Sequence, residues 1–430
     1  MKTATHRLPG LVLTDHVFQV PLDHARPHGD RLEVFARQVV APGREDAALP
    51  WLLFLQGGPG FPAPRPTGRS GWLKRALAEY RVLLLDQRGT GRSAPVTPQT
   101  LAGRRDAPAM ADYLRHFRAD AIVRDAELIR RELAGADAQW SVLGQSFGGF
   151  CAAHYLSAAP EALREVIFTG GLPPLERSPD EVYRATYRRV LEKNRLYYER
   201  YPDDVERAVT VADHLARHDV HLPTGDRLSP RRFQQLGIKL GMSDGFEAVH
   251  YLLEEAFVAG AGGPEIGYGF LRGLENVQSF DTNPMYAVLH EAIYCQGQAS
   301  RWAAERVRGE FPEFEPEPGR PLRFTGEMVY PWMFDEFRHL RPLKEAAEIL
   351  AADEGWPRLY DPETLRANAV PCVAAVYHGD MYVELEFSEE TARQIRGLRL
   401  WVTGEHEHNA LRAEGETVLG RLLAMLRGEA

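Results

Sequence analysis

The sequence contains little cysteine, no long apolar run and no excess of basic residues. Three of its 430 residues are cysteines, and they lie far apart, so a disulfide framework is not expected and a reducing compartment such as the cytoplasm fits best. No apolar stretch approaches the roughly 18 residues that suggest a membrane-spanning helix, and the N-terminus lacks the apolar segment of a secretion signal. The formal net charge of −9 argues against a general nucleic-acid-binding protein. We therefore expect neither a membrane nor a nucleic acid as a partner.

The composition is that of a folded protein with several domains, or with one core and a large insertion. Apolar residues make up 44% and charged residues 26% of the chain, close to the averages for globular proteins. At about 150 residues per domain, the length corresponds to two or three domains. No internal repeat or low-complexity tract is apparent.

Short apolar runs predict strands that are buried on both faces. Those at 51–55 and 81–86 each end in a glycine-rich turn. Two extended segments around a polar turn are expected within 17–40. Helical patterns separate the later runs, and this alternation indicates an α/β fold with a mostly parallel sheet. The later apolar runs lie at 140–144, 163–171, 371–377 and 398–402.

The alternation stops between about residues 175 and 356, where helical patterns and Pro- and Glu-rich loops prevail. We therefore predict an α/β core formed by residues 1–174 and 357–430, interrupted by a mainly helical domain at 175–356. That segment holds 31 acidic and 22 basic residues, whereas the rest of the chain has 29 of each. Either a solvated acidic surface or a set of carboxylates for a cationic substrate would explain this excess.

The strongest functional signal is Gly144-Gln145-Ser146-Phe147-Gly148. It matches the G-x-S-x-G pattern of a nucleophile elbow and lies between a predicted strand and a predicted helix of small residues. A serine on such a sharp turn needs small neighbours, because larger side chains would collide with adjacent strands. The N-terminus of the following helix also favours negative charge near the serine oxygen. We therefore predict that Ser146 is a catalytic nucleophile rather than part of an ordinary glycine-rich turn.

The acid that would accompany Ser146 is expected after a later strand, because elbow-type triads follow the order Ser, Asp or Glu, His. Asp380 comes just after the apolar run at 371–377 and is the predicted acid. Asp361 and Glu384 are competitors, but neither directly follows the end of a strand.

The histidine is expected after the last predicted strand. His406 and His408 both lie there, and spacing alone does not choose between them. The chosen histidine would accept the proton of Ser146 and return it to the leaving amine, while Asp380 would orient and stabilise the imidazolium.

Two backbone N–H groups are needed to stabilise the oxyanion that forms during attack. One is predicted at Phe147, directly after the nucleophile. The other is predicted in the glycine-rich loop at 56–60, where we take Gly58 as the donor because glycine lets the backbone approach closely. A phosphate-binding role for this loop is weakly supported, since the Gly-Lys-Ser/Thr ending of a P-loop is missing.

Metal and thiol chemistry have little support. His406 and His408 could in principle bind a metal, but no third ligand is apparent, and H-E-x-x-H and C-x-x-C motifs are lacking. Cys151 follows the elbow on the predicted helix and is better explained as a core residue than as a nucleophile. We expect no metal and no cofactor.

Seven segments spread over the whole chain form a recognisable set. They are FLQGGPG (54–60), DQRGTGRS (86–93), GQSFGG (144–149), LHEAIYCQG (289–297), TGEMVYPWMF (325–334), HGDMYV (378–383) and EHNALR (407–412). Together they resemble the proline iminopeptidases, prolyl aminopeptidases of the S33 serine peptidase family within the α/β-hydrolases. The D-Q-R-G-x-G-x-S block is fairly specific to that family, whereas G-x-S-x-G alone is not.

The resemblance implies removal of N-terminal proline from peptides beneath a helical cap, which is here the segment 175–356. It also selects His408, because the family's catalytic histidine precedes an Asp/Asn-Gly pair, and His408 precedes Asn409-Ala410. Ala410 stands where the family has glycine, which is a small departure. Gln56 stands where many relatives have histidine, and Phe147 stands where shorter relatives have tryptophan.

The resemblance further implies cap carboxylates that bind the free amine of the substrate. The motif matches suggest Glu291 and Glu327, with Asp244 and Glu247 as weaker candidates. A proline ring also needs an apolar slot. Its candidate walls are Phe147, Tyr286, Tyr294, Cys295, Tyr330 and Trp332.

The sequence therefore predicts a cofactor-free serine aminopeptidase that acts on short peptides with N-terminal proline; whether it forms homo-oligomers stays open. The first alternative is an esterase or another small-molecule hydrolase on the same triad, because fold does not fix substrate. The second is a non-catalytic binding module, which commonly lacks a triad member, whereas this sequence keeps all three.

Overall fold

A sheet of nine strands forms the centre of the molecule in the computed structural model, which describes residues 2–317 and 320–429. The strand order is β1-β2-β3-β5-β4-β6-β7-β10-β11, with antiparallel pairing from β1 to β5 and parallel pairing beyond. The predicted α/β fold with a mostly parallel sheet is confirmed. The strands of this sheet are β1 (Lys2–Leu8), β2 (Leu11–Pro21), β3 (Arg31–Val40), β4 (Trp51–Leu55), β5 (Arg81–Leu85), β6 (Trp140–Gln145), β7 (Leu163–Thr169), β10 (Cys372–Tyr377) and β11 (Leu398–Thr403), while β8 (Phe257–Gly260) and β9 (Gly263–Ile266) form a separate hairpin.

Helices cover both faces of the sheet, as its continuous apolar strands require. Every residue of β10 is buried, which fits a parallel strand with helices on both sides. α5 packs on β6 and β7, whereas α18 packs with α1 against β10. The helices of this core are α1 (Gly71–Ala76), α2 (Pro98–Leu101), α3 (Ala107–Leu114), α4 (Ala119–Leu133), α5 (Phe147–Ala158), α15 (Pro362–Arg366), α16 (Leu385–Gln394), α17 (Ala410–Ala413) and α18 (Gly415–Arg427).

A mainly helical segment separates β7 from β10. Its first part, at 176–218, forms two helices, because the helix ends before Tyr201 and Pro202, and proline cannot continue a helix. None of the helices in the described ranges is both long enough and apolar enough to cross a bilayer. The helices of this segment are α6 (Pro179–Arg200), α7 (Asp204–Arg217), α8 (Pro230–Gln234), α9 (Gly245–Glu254), α10 (Tyr268–Val277), α11 (Pro284–Leu289), α12 (Ala303–Arg308), α13 (Met333–Glu336) and α14 (Lys344–Ala351).

β1 was not predicted from the sequence. Its residues 4–7 are exposed, and those at 5–7 are polar, so they give no apolar alternation. The strand forms because it pairs antiparallel with β2 along its whole length at the edge of the sheet.

Helix α6 is tied to the loops that follow β10 and β11. Arg189 donates two hydrogen bonds to the carboxylate of Glu384, at 3.0 and 2.8 Å. The buried ammonium of Lys193 lies 2.5 Å from the Glu407 carboxylate. These contacts place the helical segment over the C-terminal edge of the parallel strands, where sites in α/β folds form.

Candidate active site

Ser146 sits on the turn between β6 and α5. Its φ is 54° and its ψ is −123°, a conformation that costs free energy for a residue with a Cβ and is a known feature of functional sites. The Ser146 N–H donates to the Thr169 carbonyl at the end of β7, at 2.9 Å. The turn thus holds the serine at the edge of the sheet, as the elbow motif predicts.

The glycines of the motif are required by close packing. A Cβ at Gly144 would overlap the Gly148 carbonyl oxygen, and a Cβ at Gly148 would overlap the carbonyl oxygen of Leu55 at the end of β4. The sharp turn of the elbow therefore leaves no room for a side chain two residues before or two residues after Ser146.

Asp380 and His408 form a buried pair. The Asp380 Oδ2 lies 2.7 Å from the His408 Nδ1, while its Oδ1 accepts N–H groups of Tyr382 and Val383 at 2.8 and 3.1 Å. Asp380 is 1% exposed, so its charge acts with little screening by water. The arrangement fixes the imidazole with Nδ1 toward the acid and leaves Nε2 for another partner.

His406, the other candidate from spacing, has a different environment. Its Nδ1 lies 3.9 Å from Glu414, and its ring contacts the faces of Tyr377 and Trp401 edge-on. The structure therefore brings His408, and not His406, to Asp380.

His408 also lies beside the elbow. Gly170 directly follows Thr169, whose carbonyl accepts the Ser146 N–H. A Cβ at Gly170 would lie 3.1 Å from the His408 Cε1 and 3.4 Å from the Gln145 Nε2. The imidazole and the residue before the nucleophile therefore flank the same short stretch of backbone.

The glycine-rich loop after β4 packs directly on the nucleophile. A Cβ at Gly57 would lie 2.9 Å from the Ser146 Cβ and 2.6 Å from the Gln145 Oε1, so only glycine lets the loop approach this closely. Phe147 begins α5, and its N–H has no partner within the helix. The N–H groups of Gly58 and Phe147 stay the predicted oxyanion donors.

Gln87 supports this loop and was not singled out from the sequence. Its side-chain amide donates to the Gln56 carbonyl at 2.9 Å. The next residue, Arg88, is fully buried and lies 2.6 Å from Asp125. Both belong to the DQRGTGRS block, so the signal that could have found Gln87 was the block itself.

Glu327 brings a carboxylate from the helical segment toward His408. Its Oε2 accepts a hydrogen bond from the Tyr286 hydroxyl at 3.2 Å and lies 3.5 Å from the His290 Nε2. The side chain is 12% exposed. Burial lowers the pKa of His408, and the Glu327 charge is among the groups, led by Asp380, that raise it. Burial raises the pKa values of Tyr294 and Tyr382, and the Glu327 charge adds to this effect. Glu327 therefore lies close enough to the Asp380–His408 pair for its charge to act on the imidazole.

Comparison with known proteins identifies the family. Residues 50–256 match the alpha/beta hydrolase fold family. The chain is 53% identical over 421 residues to the proline iminopeptidase of Aeromonas sobria, covering 98% of both sequences. It is 37% identical over 434 residues to a proline iminopeptidase of Aspergillus aculeatus, covering 98% of this chain and 95% of the relative.

The chain belongs to the proline iminopeptidase family. Among solved structures, the proline iminopeptidase of Mycobacterium smegmatis matches with a TM-score of 0.42 and 15% identity, over 96% of this chain and 98% of that one. The resemblance stated from the sequence motifs is thus confirmed by full-length relatives.

Glu291, the other carboxylate predicted to bind substrate, is engaged elsewhere. Its two oxygens accept the N–H groups of Ala304 and Ala303 at the start of α12, at 2.9 and 3.1 Å. Burial raises its pKa, while these hydrogen bonds and one from Ser300 lower it. The structure therefore gives Glu291 a helix-capping role, and Glu327 is the better candidate for the substrate amine.

The two weaker carboxylate candidates point away from the triad. Asp244 is 77% exposed and lies 3.9 Å from Arg412. Glu247 is half-exposed and accepts hydrogen bonds from Arg200 and Tyr201 at 2.7 and 3.1 Å. Both have the contacts of surface residues.

Two of the predicted slot residues lie near Glu327. Tyr286 donates to it and packs edge-on against Phe61 of the glycine-rich loop, with ring centroids 5.7 Å apart. Tyr294 packs edge-on against Phe150 of α5 at 6.0 Å, and Phe150 in turn contacts Phe147. These rings form contacts that extend from the elbow toward the carboxylate.

Cys295 and Trp332 are not brought to this space. Cys295 is fully buried, and its carbonyl accepts a hydrogen bond from Arg118 at 2.6 Å. Trp332 lies beneath the guanidinium of Arg231, 4.5 Å from its ring centroid, and stacks on Tyr330. It lines a separate cavity of about 520 Å³ whose walls include no triad residue. Their predicted role as walls of the proline slot therefore lacks support.

The charge of Asp380 should set the pH at which kcat/KM falls on the acid side of the pH profile. Burial lowers the pKa of His408, but the Asp380 charge and hydrogen bond outweigh it and raise the pKa above its ordinary value of 6.5. A general base must be neutral, so kcat/KM should fall as pH drops through a midpoint above 6.5. Asp380→Asn should move this midpoint to lower pH and reduce kcat by about 10⁴-fold. Initial rates across pH for both proteins test this, and an unmoved acid limb would contradict it.

Proposed function

We propose that this chain is a serine aminopeptidase that releases N-terminal proline from peptides, with Ser146, His408 and Asp380 as its triad. The observation that carries the proposal is a largely buried carboxylate, Glu327, whose charge acts on the His408 imidazole in a chain whose relatives over nearly its full length are proline iminopeptidases. Such a site suits a substrate that combines a scissile carbonyl with a nearby positive charge.

The chemistry runs through an acyl-enzyme. The Ser146 Oγ attacks the carbonyl of the first residue, and the His408 Nε2 accepts its proton while Asp380 stabilises the imidazolium. The N–H groups of Phe147 and Gly58 hold the developing oxyanion. His408 then protonates the leaving amine, and the chain that begins at the second residue departs. Water, activated by the same histidine, hydrolyses the prolyl ester of Ser146.

Glu327 selects for a free N-terminus. An ammonium that leaves water needs a carboxylate partner, because an unpaired buried charge is costly. The Glu327 side chain is largely buried yet offers a charged oxygen toward the reacting centre. In a proline inside a peptide chain, the nitrogen is acylated and carries no positive charge. Binding of such a residue would leave the Glu327 carboxylate unpaired, so cleavage of internal peptide bonds is disfavoured.

An esterase on the same triad is the competing function, and a substrate panel separates the two. Wild-type protein is assayed with prolyl, alanyl and leucyl chromogenic amides and with a short-chain ester. We expect the prolyl amide to give the highest kcat/KM among the amides, because the relatives over nearly the full length of the chain are proline iminopeptidases. Turnover of the ester with no amide turnover would overturn the proposal.

The cap and the location of the protein belong to the same proposal. We propose that residues 175–356 form a cap domain over the α/β core of 1–174 and 357–430.

A cytoplasmic location is supported by the three cysteines, which are free and buried and therefore suit a reducing compartment.

A further inference from the structure

The hydrogen bond and the histidine contact of Glu327 both involve one of its two oxygens. The Tyr286 hydroxyl donates to Oε2 at 3.2 Å, and the His290 Nε2 lies 3.5 Å from the same atom. Within the described ranges, no hydrogen bond from the protein reaches Oε1. The carboxylate is thus held from one side and left open on the other.

His290 is a buried residue with a defined orientation. It is 1% exposed, and its ring lies between those of Tyr183, Tyr286 and Tyr294, with centroids 6.5, 4.7 and 6.2 Å away. The Tyr183 hydroxyl lies 3.1 Å from its Nδ1. Both ring nitrogens therefore face a polar group, and the rest of the ring is packed in aromatic side chains.

The two polar neighbours of His290 meet opposite ring nitrogens. A carboxylate only accepts, so the nitrogen that faces Glu327, Nε2, is the one that carries a hydrogen toward it. The Tyr183 hydroxyl, whose pKa is raised well above 10 by burial and so keeps its proton, can then donate to Nδ1.

We propose that His290, held by Tyr183, is a positioning residue for recognition of the substrate amine: its Nε2–H holds Oε2 of Glu327 so that Oε1 accepts the ammonium of the N-terminal residue. The inference rests on the proposed function, because it assigns a substrate group to Glu327. His290 touches neither the substrate nor Ser146 in this scheme. It acts on affinity for the amine and not on the triad.

The test compares His290→Leu, which removes the donor, with His290→Gln, whose amide nitrogen can occupy the place of Nε2. Hydrogen bonds to charged groups are strong enough that losing one should raise KM for a prolyl amide by about tenfold or more. We expect this rise in His290→Leu, a smaller one in His290→Gln, and little change in kcat. Turnover of a short ester without an amine should stay at the wild-type level in both variants.

Tyr183→Phe carries the same test if His290→Leu does not fold. It removes the hydroxyl that can donate to Nδ1 of His290 and should raise KM for the prolyl amide without affecting the ester. Tyr360→Phe is its matched control, because the buried Tyr360 hydroxyl has no hydrogen-bond partner among the described residues. An equal loss of amide and ester turnover in these variants would show a merely structural role and overturn the inference, as would an unchanged KM.

Glu327→Gln separates the failure of this inference from that of the proposed function. If Glu327→Gln raises KM for the prolyl amide but His290→Leu does not, only the role of His290 is wrong. If Glu327→Gln leaves KM unchanged, Glu327 does not bind the substrate amine, and the role proposed for His290 is then wrong as well. If both are correct, the double variant should be no worse than Glu327→Gln alone, because the two residues act through one carboxylate.

Discussion

Ser146→Ala is expected to lower kcat for a prolyl amide by about 10⁶-fold, the scale seen when the nucleophile of a serine triad is removed. No other hydroxyl can replace it, because the elbow places this one side chain between the glycine-rich loop at Gly57 and the His408 side of the site. The residual rate should come only from substrate binding and the oxyanion donors. Single-turnover and steady-state assays of the purified variant measure the loss.

Ser157→Ala is the matched control, since Ser157 lies on the same helix and its hydroxyl contacts the Ala153 carbonyl and the Asp361 N–H. It should keep wild-type turnover. A serine-directed phosphonate should modify the wild type and Ser157→Ala but not Ser146→Ala. Substantial turnover by Ser146→Ala would show that the elbow serine is not the nucleophile.

Glu327→Gln is expected to lower kcat/KM for a prolyl amide by about 10²- to 10³-fold. The substitution keeps the shape of the side chain but removes the charge that faces the ammonium, and truncating one partner of a buried charge pair typically costs about 2–5 kcal/mol. A short-chain ester has no ammonium, so its turnover should change little. The ratio of the two activities is therefore the measurement.

Glu291→Gln provides the matched control for this substitution in the same cap. Its oxygens accept two helix N–H groups, so the variant should melt at a lower temperature and keep the wild-type ratio of amide to ester turnover. Should Glu291→Gln change that ratio and Glu327→Gln leave it intact, the assignment of the two glutamates would be reversed.

The sequence predicted the core well because its signals are local. The continuous apolar runs at 51–55 and 371–377 predict strands of a buried parallel sheet, and each forms a strand in the structure. The elbow around Ser146 combines a strand, glycines and a helix of small residues within a few positions. β1 escaped prediction because its pairing with β2, and not its own pattern, creates the strand.

The sequence could not settle the roles that depend on where side chains point. His406 and His408 share a loop, and spacing did not choose between them. The family resemblance selected His408, and the fold shows that His408 reaches Asp380. Glu291 and Glu327 both lie in family motifs, yet one carboxylate meets helix N–H groups and the other faces the site. The residues around Glu291 and Glu327 in the sequence do not indicate in which direction either side chain points.

The most direct test of the account is to compare a prolyl amide that has a free amine with its N-acetylated form. The wild type should prefer the free amine in kcat/KM by on the order of 10²-fold or more, because only the ammonium can pair with Glu327. In Glu327→Gln this preference should shrink toward parity. Equal turnover of the two substrates by the wild type would contradict the central claim that this site recognises a free N-terminus.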